Sequence, residues 1–284
     1  MNCFDRLVEQ VVAQNAEYPV LRNVIEKELL HQDILRVMSE AGYLKNLTFM
    51  GGTCLRACYD SPRMSEDLDF TGGFDFSKDD MKDLGKIISL AIYQKYGFQV
   101  SVTEPERETG NTDTWKIKII TRPQRANIPS QKITIDICHL PSHERSVSML
   151  KNLYGVAAGT DGILLYAESL QEILCDKLIA FARRPNRVKN RDLWDIHWLS
   201  QRGVQANGNL LRQKLADRRI SESDFLLQCR QRLSAIQGRQ ADFLFEMKRF
   251  LLPSAFTLQF TSEMWWQYLL NLLEQLVFSC SYNL

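Results

Sequence analysis

A glycine pair behind an apolar run, followed by two carboxylates set two residues apart, is the feature of this sequence that most constrains its fold. The two stretches are Phe49-Met50-Gly51-Gly52-Thr53-Cys54-Leu55-Arg56 and Ser65-Glu66-Asp67-Leu68-Asp69-Phe70. Residues i and i+2 of a strand project from one face. A strand here would therefore turn Asp67 and Asp69 into one space and Leu68 and Phe70 to the opposite side. Like charges that close raise each other's pKa unless a cation sits between them. A hard divalent ion suits the position, because Mg²⁺ is typically held by one or two carboxylates plus substrate phosphates. Glycines at a strand-to-helix junction also let backbone N–H groups approach phosphate oxygens at a helix N-terminus. The plainer reading of Gly51-Gly52 is a tight turn.

The surrounding sequence alternates strand and helix patterns. Val24, Leu29, Ile34, Leu35 and Met38 repeat at helical spacing between Val20 and Ala41, and Gly42 is the stop signal. A strand over Leu47 to Met50 leads to the glycines, after which Thr53 is expected to cap a helix. Ser77 is expected to start an amphipathic helix ending near Gly97, and strands follow over 98–102, 115–119 and 132–137. In the last, Ile133, Ile135 and Ile137 face one way and Thr134 and Asp136 the other. Beyond about Gly162 the pattern becomes helical alone, with a break at Pro253. The expected class is α/β (α+β): a mixed sheet with flanking helices over 1–160, then a helical bundle over 161–284.

Composition narrows the functional classes. A formal net charge of +1 excludes a globally basic nucleic-acid binder, so any such contact needs a local patch. Seven scattered cysteines without a CxxC pair read as reduced thiols of a cytoplasmic protein, with neither a disulfide framework nor a zinc site. Met1 to Arg22 has no signal-peptide core, and no run approaches eighteen apolar residues, so no membrane role is expected.

Asp67, Asp69 and Asp136 would converge if their strands are neighbours, a set suited to metal-assisted phosphoryl or nucleotidyl transfer. Lys177 lies on the apolar stripe of its helix, and Asp192 and Asp195 lie on that of the next. Charges in such places need partners. Either they form a buried pair joining the two helices, or Lys177 reaches a triphosphate and Asp192 a reacting hydroxyl. The run Arg183 to Arg191 carries five cations and could hold a phosphate backbone. Arg56 and Arg63 are further phosphate candidates, with ion pairing to Asp60 or Glu66 as the alternative. His139 and His143 lack metal-ligand company, and His31 and His197 read as packing or surface residues.

The ordered set of motifs resembles the AbiEii/AbiGii nucleotidyltransferase-like toxins, of the DNA polymerase β-type nucleotidyltransferase superfamily. It is carried by Glu26-Lys27-Glu28, His31-Gln32-Asp33-Ile34-Leu35, the glycine stretch, and Ser61-Pro62-Arg63-Met64 leading into Ser65–Phe70. Asp176-Lys177-Leu178-Ile179-Ala180 and Arg191-Asp192-Leu193-Trp194-Asp195-Ile196 complete it. The resemblance implies Mg²⁺-dependent transfer of a nucleotide from an NTP, with two ions during turnover, a cognate antitoxin and a role in phage defence. Some members add nucleotides to tRNA 3′ ends. By motif position Asp67 and Asp69 would bind metal, and Gly51, Gly52, Thr53, Arg63 and Ser65 would surround the nucleotide. Lys177 would contact the triphosphate, and Asp192 would be a catalytic carboxylate, so that the helical half completes the active-site cleft. Thr53 stands where the wider pattern often has Ser, which keeps the hydroxyl. Asp136 as a third metal ligand rests mainly on the strand argument. The leading expectation is a toxin with an RNA acceptor, a tRNA 3′ end foremost. A protein or small-molecule acceptor, or a non-catalytic partner-binding module, are the alternatives.

Overall fold

Strict alternation builds the sheet. In β5 (Gln131–Cys138) Ile133, Ile135 and Ile137 are buried, while Lys132, Thr134 and Asp136 occupy the other face. β4 (Thr112–Ile120) repeats the pattern, burying Trp115, Ile117 and Ile119 and exposing Lys116 and Lys118. With β1 (Thr48–Met50), β2 (Leu68–Thr71), β3 (Gln99–Thr103), β6 (Arg145–Met149) and β7 (Leu164–Glu168), they form a seven-stranded sheet in the order β3-β4-β5-β2-β1-β7-β6. It is mixed, since β2 runs antiparallel to β1 and parallel to β5, and β1 runs parallel to β7.

The computed structural model describes residues 2–105, 110–124, 129–184 and 188–282, with side chains through 278. The chain divides into two compact units, Met1–Ala167 and Glu168–Leu284. The first holds the sheet with helices α1 (Cys3–Val12), α2 (Arg22–Glu40), α3 (Gly51–Tyr59) and α4 (Leu84–Tyr96). The second holds α5 (Leu170–Arg183), α6 (Asn190–Gln201), α7 (Gly208–Asp217), α8 (Glu222–Ile236), α9 (Gln240–Met247) and α10 (Glu263–Tyr282). Among the described residues no helix is long and apolar enough to cross a membrane. The six described cysteines are all free thiols.

Several local expectations are corrected. The glycines open α3 themselves, with Met50 at the N-cap, so Thr53 lies inside the first turn and uses its hydroxyl elsewhere. Ser77 caps a separate 3₁₀ turn over Lys78–Met81, its side chain and that of Asp80 forming a capping box. α4 begins only after Asp83, whose φ of 63° breaks the continuity. Helix α1, capped by Asn2, and the strands β6 and β7 were not expected, and β7 follows Gly162 where helices alone were read. Gly42 and Gly97 do terminate their helices in the left-handed region, at φ 84° and 72°.

The expected helix is present as α2, and Glu26, Lys27, Glu28, His31, Gln32 and Asp33 are all buried along with its apolar stripe. Burial of charge is tolerated only with partners, and each ion has one. Glu26 takes Arg122 at 2.6 Å, Lys27 takes Glu66 at 3.0 Å, and Asp33 takes Lys95 at 2.5 Å.

The helical unit is centred on packed rings, with Phe243 against Phe260, Trp265 and Trp266, and His197 edge-on to Trp265 at 5.1 Å. Burial lowers the His197 pKa from 6.5 to about 4. A base depressed in the folded state contributes full stability above 6.5 and loses it as pH falls from 6.5 toward 4. The ceiling of that loss is roughly 3 kcal/mol at 1.36 kcal/mol per unit. Urea unfolding followed by tryptophan fluorescence should show the wild type weakening between pH 7.5 and pH 5, and His197→Phe weakening less; equal losses in the two proteins would refute the assignment.

Candidate active site

The parallel pairing of β2 with β5 sets Asp69 directly beside Asp136, and the β1–β2 pairing sets Met50 on its other side. Lateral neighbours in a sheet share a face, so Asp69 and Asp136 project together. Asp67 precedes β2 by one residue and joins that face, where its Oδ1 accepts a 2.8 Å hydrogen bond from Thr134. Thr114 of β4 donates to Asp136 at 2.6 Å. All three carboxylates are half-buried. The opposite side of β2 carries Leu68 and Phe70 into the core, with Phe70 stacked on Phe49 at 5.0 Å.

The glycine pair is fitted to this edge. Gly51 has φ +73°, a conformation costly for any residue with a Cβ, and a Cβ there would lie 2.8 Å from the Asp69 Oδ2. A Cβ on Gly52 would lie 2.3 Å from the Arg63 guanidinium. Arg63 is therefore buried against the loop, and it donates to the Met64 carbonyl at 2.9 Å. No side chain caps α3, which leaves the N–H groups of its first turn for another acceptor. Thr53 Oγ1 lies 2.7 Å from Ser65 Oγ and donates to the Asp67 carbonyl, tying the loop to the carboxylate segment.

Helix α2 holds that segment from behind. Glu28 Oε1 accepts from the Ser65 N–H at 2.9 Å and from Arg56 at 3.3 Å, while its Oε2 accepts from Tyr154 at 2.5 Å. Burial opposes the charge on Arg56, but Glu28 outweighs it and keeps the guanidinium firmly protonated. Arg56 thus pairs with neither Asp60 nor Glu66, the partners considered from sequence. His31 bonds the Glu66 carbonyl at 2.9 Å, and burial lowers its pKa to about 4, so the ring is neutral near pH 7.

Within the helical unit Lys177 lies 2.7 Å from Asp192 and 2.8 Å from Asp195, and Arg184 lies 3.0 Å from Asp192. Burial would raise the Asp192 pKa, yet Lys177 and Arg184 hold it below the usual carboxylate range, so it is ionised at neutral pH. The buried pair joining α5 and α6 is thus present. Of the basic run, residues 185–187 lie outside the described residues. His139 pairs with Asp113 at 3.0 Å.

Two oxygens of neighbouring strands, a third carboxylate one pleat away and an uncapped helix N-terminus make a hard, anion-tolerant edge. Among the described residues no three His, Cys, Asp or Glu side chains are arranged to hold a metal by themselves.

The family described as "Nucleotidyl transferase AbiEii toxin, Type IV TA system" matches residues 33–265. The chain belongs to this family. An AbiEii protein is a nucleotidyltransferase toxin of a type IV toxin–antitoxin system, which implies an NTP substrate and an antitoxin partner. The fold is similar to that of MenT4, a nucleotidyltransferase toxin from Mycobacterium tuberculosis H37Rv, at 17% identity and TM-score 0.55, covering 95% of this chain and 98% of that one. JHP933 from Helicobacter pylori is 18% identical over 92% of this chain and 95% of that one, with TM-score 0.48. No curated protein matches the sequence.

For this AbiEii toxin, sequence reasoning gave no site role to Glu28, noted only within a motif, or to Tyr154: Glu28 positions Ser65 through its N–H, and Tyr154 holds Glu28. An acidic residue on the polar side of a helix gives no sign of burial. The conformation of Gly51 generates a direct test. Gly51→Ala forces a Cβ against Asp69, and a displacement on the order of 1 Å at reacting groups costs about a hundredfold in rate. We expect nucleotidyl transfer to fall by at least about that factor while the left-handed alanine lowers the melting temperature by only a few degrees, too little to account for the loss at the assay temperature, measured by label incorporation and calorimetry; wild-type turnover in this variant would remove Asp69 from the site.

Proposed function

We propose that this AbiEii toxin transfers a nucleotide from an NTP to the 3′-hydroxyl of an RNA, with a tRNA 3′ end as the foremost acceptor. The observation that carries the reading is the shared face of Asp67, Asp69 and Asp136 beside the uncapped first turn of α3. A donor set of carboxylate oxygens fits Mg²⁺: Asp67 and Asp69 are the residues that would hold it, and Asp136, which forms no ready-made three-ligand cluster with them, would join as a third ligand only as the ion and its phosphates bind. When bound, Mg²⁺ neutralises triphosphate charge and polarises the phosphorus under attack, with two ions expected during turnover.

The protein's own groups do the remaining work in this reading. Gly51, Gly52 and Thr53 direct N–H groups and the positive end of α3 at phosphate oxygens. Arg63 adds positive charge from beneath Gly52 without opening to solvent. Ser65, tied to Thr53, keeps the carboxylates and the phosphate loop in one register. Lys177 is assigned to the triphosphate and Asp192 to the attacking hydroxyl. Asp192, held ionised by Lys177 and Arg184, is a weak base, so its part is to orient the hydroxyl more than to remove its proton. The reaction belongs in the cytoplasm, where NTP and RNA are both available, and its toxicity would serve phage defence.

Incubating the protein with α-phosphate-labelled NTPs and total RNA should label RNA. EDTA should abolish the signal and excess Mg²⁺ restore it. Asp67→Ala should lose at least about a thousandfold, the scale of several kcal/mol of transition-state stabilisation. Lys177→Ala should raise the KM for NTP, whereas a purely structural lysine would lower the melting temperature and leave KM alone. No labelled RNA, with Asp67→Ala indistinguishable from wild type, would overturn the proposal; label on polypeptide would transfer it to a protein acceptor.

A further inference from the structure

The face of the sheet that carries the carboxylates continues into a row of lysines. Lys116 and Lys118 of β4 and Lys132 of β5 are exposed on it, and the register places Lys118 directly opposite Lys132 and Lys116 opposite Thr134. Thr134 in turn bonds Asp67. At about 3.3 Å per residue the row begins one pleat from Asp136 and ends about 13 Å along the strand. Beside it, β3 adds Gln99, Ser101 and Thr103, which are exposed and uncharged.

Like charges placed directly across an antiparallel pair destabilise the sheet. None of the three lysines forms an ion pair among the described residues, although the protein carries almost as many acidic as basic residues. Elsewhere in this unit buried and half-buried cations are matched closely, as Lys27 with Glu66 and Lys95 with Asp33 show. A cross-strand pair unmatched among the described residues, leading to the carboxylate edge, is a placement that suits an anionic partner.

We propose that Lys116, Lys118 and Lys132 form a track for the phosphodiester backbone of a nucleic-acid strand, the strand whose end is presented to Asp67 and Asp69. Charge complementarity selects the occupant, since the row is basic and the adjoining groups are hydroxyls and an amide able to bond phosphate oxygens or a ribose. No aromatic ring stands in the row, so it reads backbone and not bases, and affinity along it is independent of sequence. The inference rests on the nucleotidyl-transfer reading only for which end of the strand meets the carboxylates.

The test is fluorescence anisotropy of a labelled single-stranded RNA ending in a 3′-deoxynucleotide, which cannot be extended, titrated with the full-length protein across a range of KCl. The variant is Lys116→Gln/Lys118→Gln/Lys132→Gln. We expect its affinity to fall at least about tenfold and the slope of log K against log salt to shrink by about 2, the loss of three single-strand phosphate contacts. Lys118→Gln alone should melt at or above the wild-type temperature, because it relieves a like-charge pair, which separates lost binding from lost folding. Unchanged affinity and slope in the triple variant would overturn the proposal. Displacement of the RNA by polyglutamate of equal charge at equal concentration would also overturn it, in favour of an acidic protein. Weakened binding in the variant, with no RNA labelled by the wild type, would uphold the track and refute the transfer reaction.

Discussion

Glu28 is the interaction on which the rest of the first unit depends. It is 2% exposed, and a carboxylate so placed must be neutralised or leave. It is met on three sides, by the Arg56 guanidinium from α3, the Tyr154 hydroxyl and the Ser65 backbone N–H. Each contact comes from a different segment, so one buried charge fixes the helix behind the glycine loop, the segment entering β2 and the stretch after β6. Lys27 and His31, on the same helix, fasten Glu66 by its side chain and its carbonyl. Lys27, Glu28 and His31, within little more than one turn of α2, thus determine where Asp67 begins.

That arrangement explains why the site can hold like charges close together. Asp69 and Asp136 are register neighbours, and their mutual repulsion would push a loosely held strand out of line. Apolar packing of Leu68, Phe70, Ile135 and Ile137 on the reverse side, with the polar ties of Thr114 and Thr134 on the front, keeps them in place. In the proposed reaction that repulsion would become attraction for a divalent cation and its phosphates. The helical unit shows the converse solution. Lys214, buried among Glu168, Glu172 and Asp176, with Arg218 on Asp176, forms a closed network. Burial, with Asp176 and Glu172 adding to it, pushes the Glu168 carboxyl well above the usual carboxylate range against the pull of Lys214.

Much of this was legible in the sequence because it is written in period two. The β5 alternation put Asp136 on the polar face correctly, and the spacing of Asp67 and Asp69 gave their common direction. Strands without that signature escaped notice: β6 is short and exposed, and β7 sits among turn-forming residues. The burial of the polar half of α2 left no mark in the sequence, for a physical reason. Periodicity reports where apolar residues lie, and it does not reveal that a charged face is also covered when its partners, such as Arg122 and Lys95, come from distant segments. The start of α3 was shifted for a similar reason. Thr53 looks like a cap, but the geometry that matters is the left-handed conformation of Gly51 beneath Asp69.

The central claim is that Asp67 and Asp69 form the protein's half of a divalent-metal site completed by a nucleotide. Crystals grown with Mn²⁺ and a non-hydrolysable NTP, measured at the manganese absorption edge, test it most directly. The account predicts an anomalous peak bonded to a carboxylate oxygen of both Asp67 and Asp69, with the triphosphate against the first turn of α3. A nucleotide bound with no manganese between those carboxylates, or manganese held elsewhere, would contradict it.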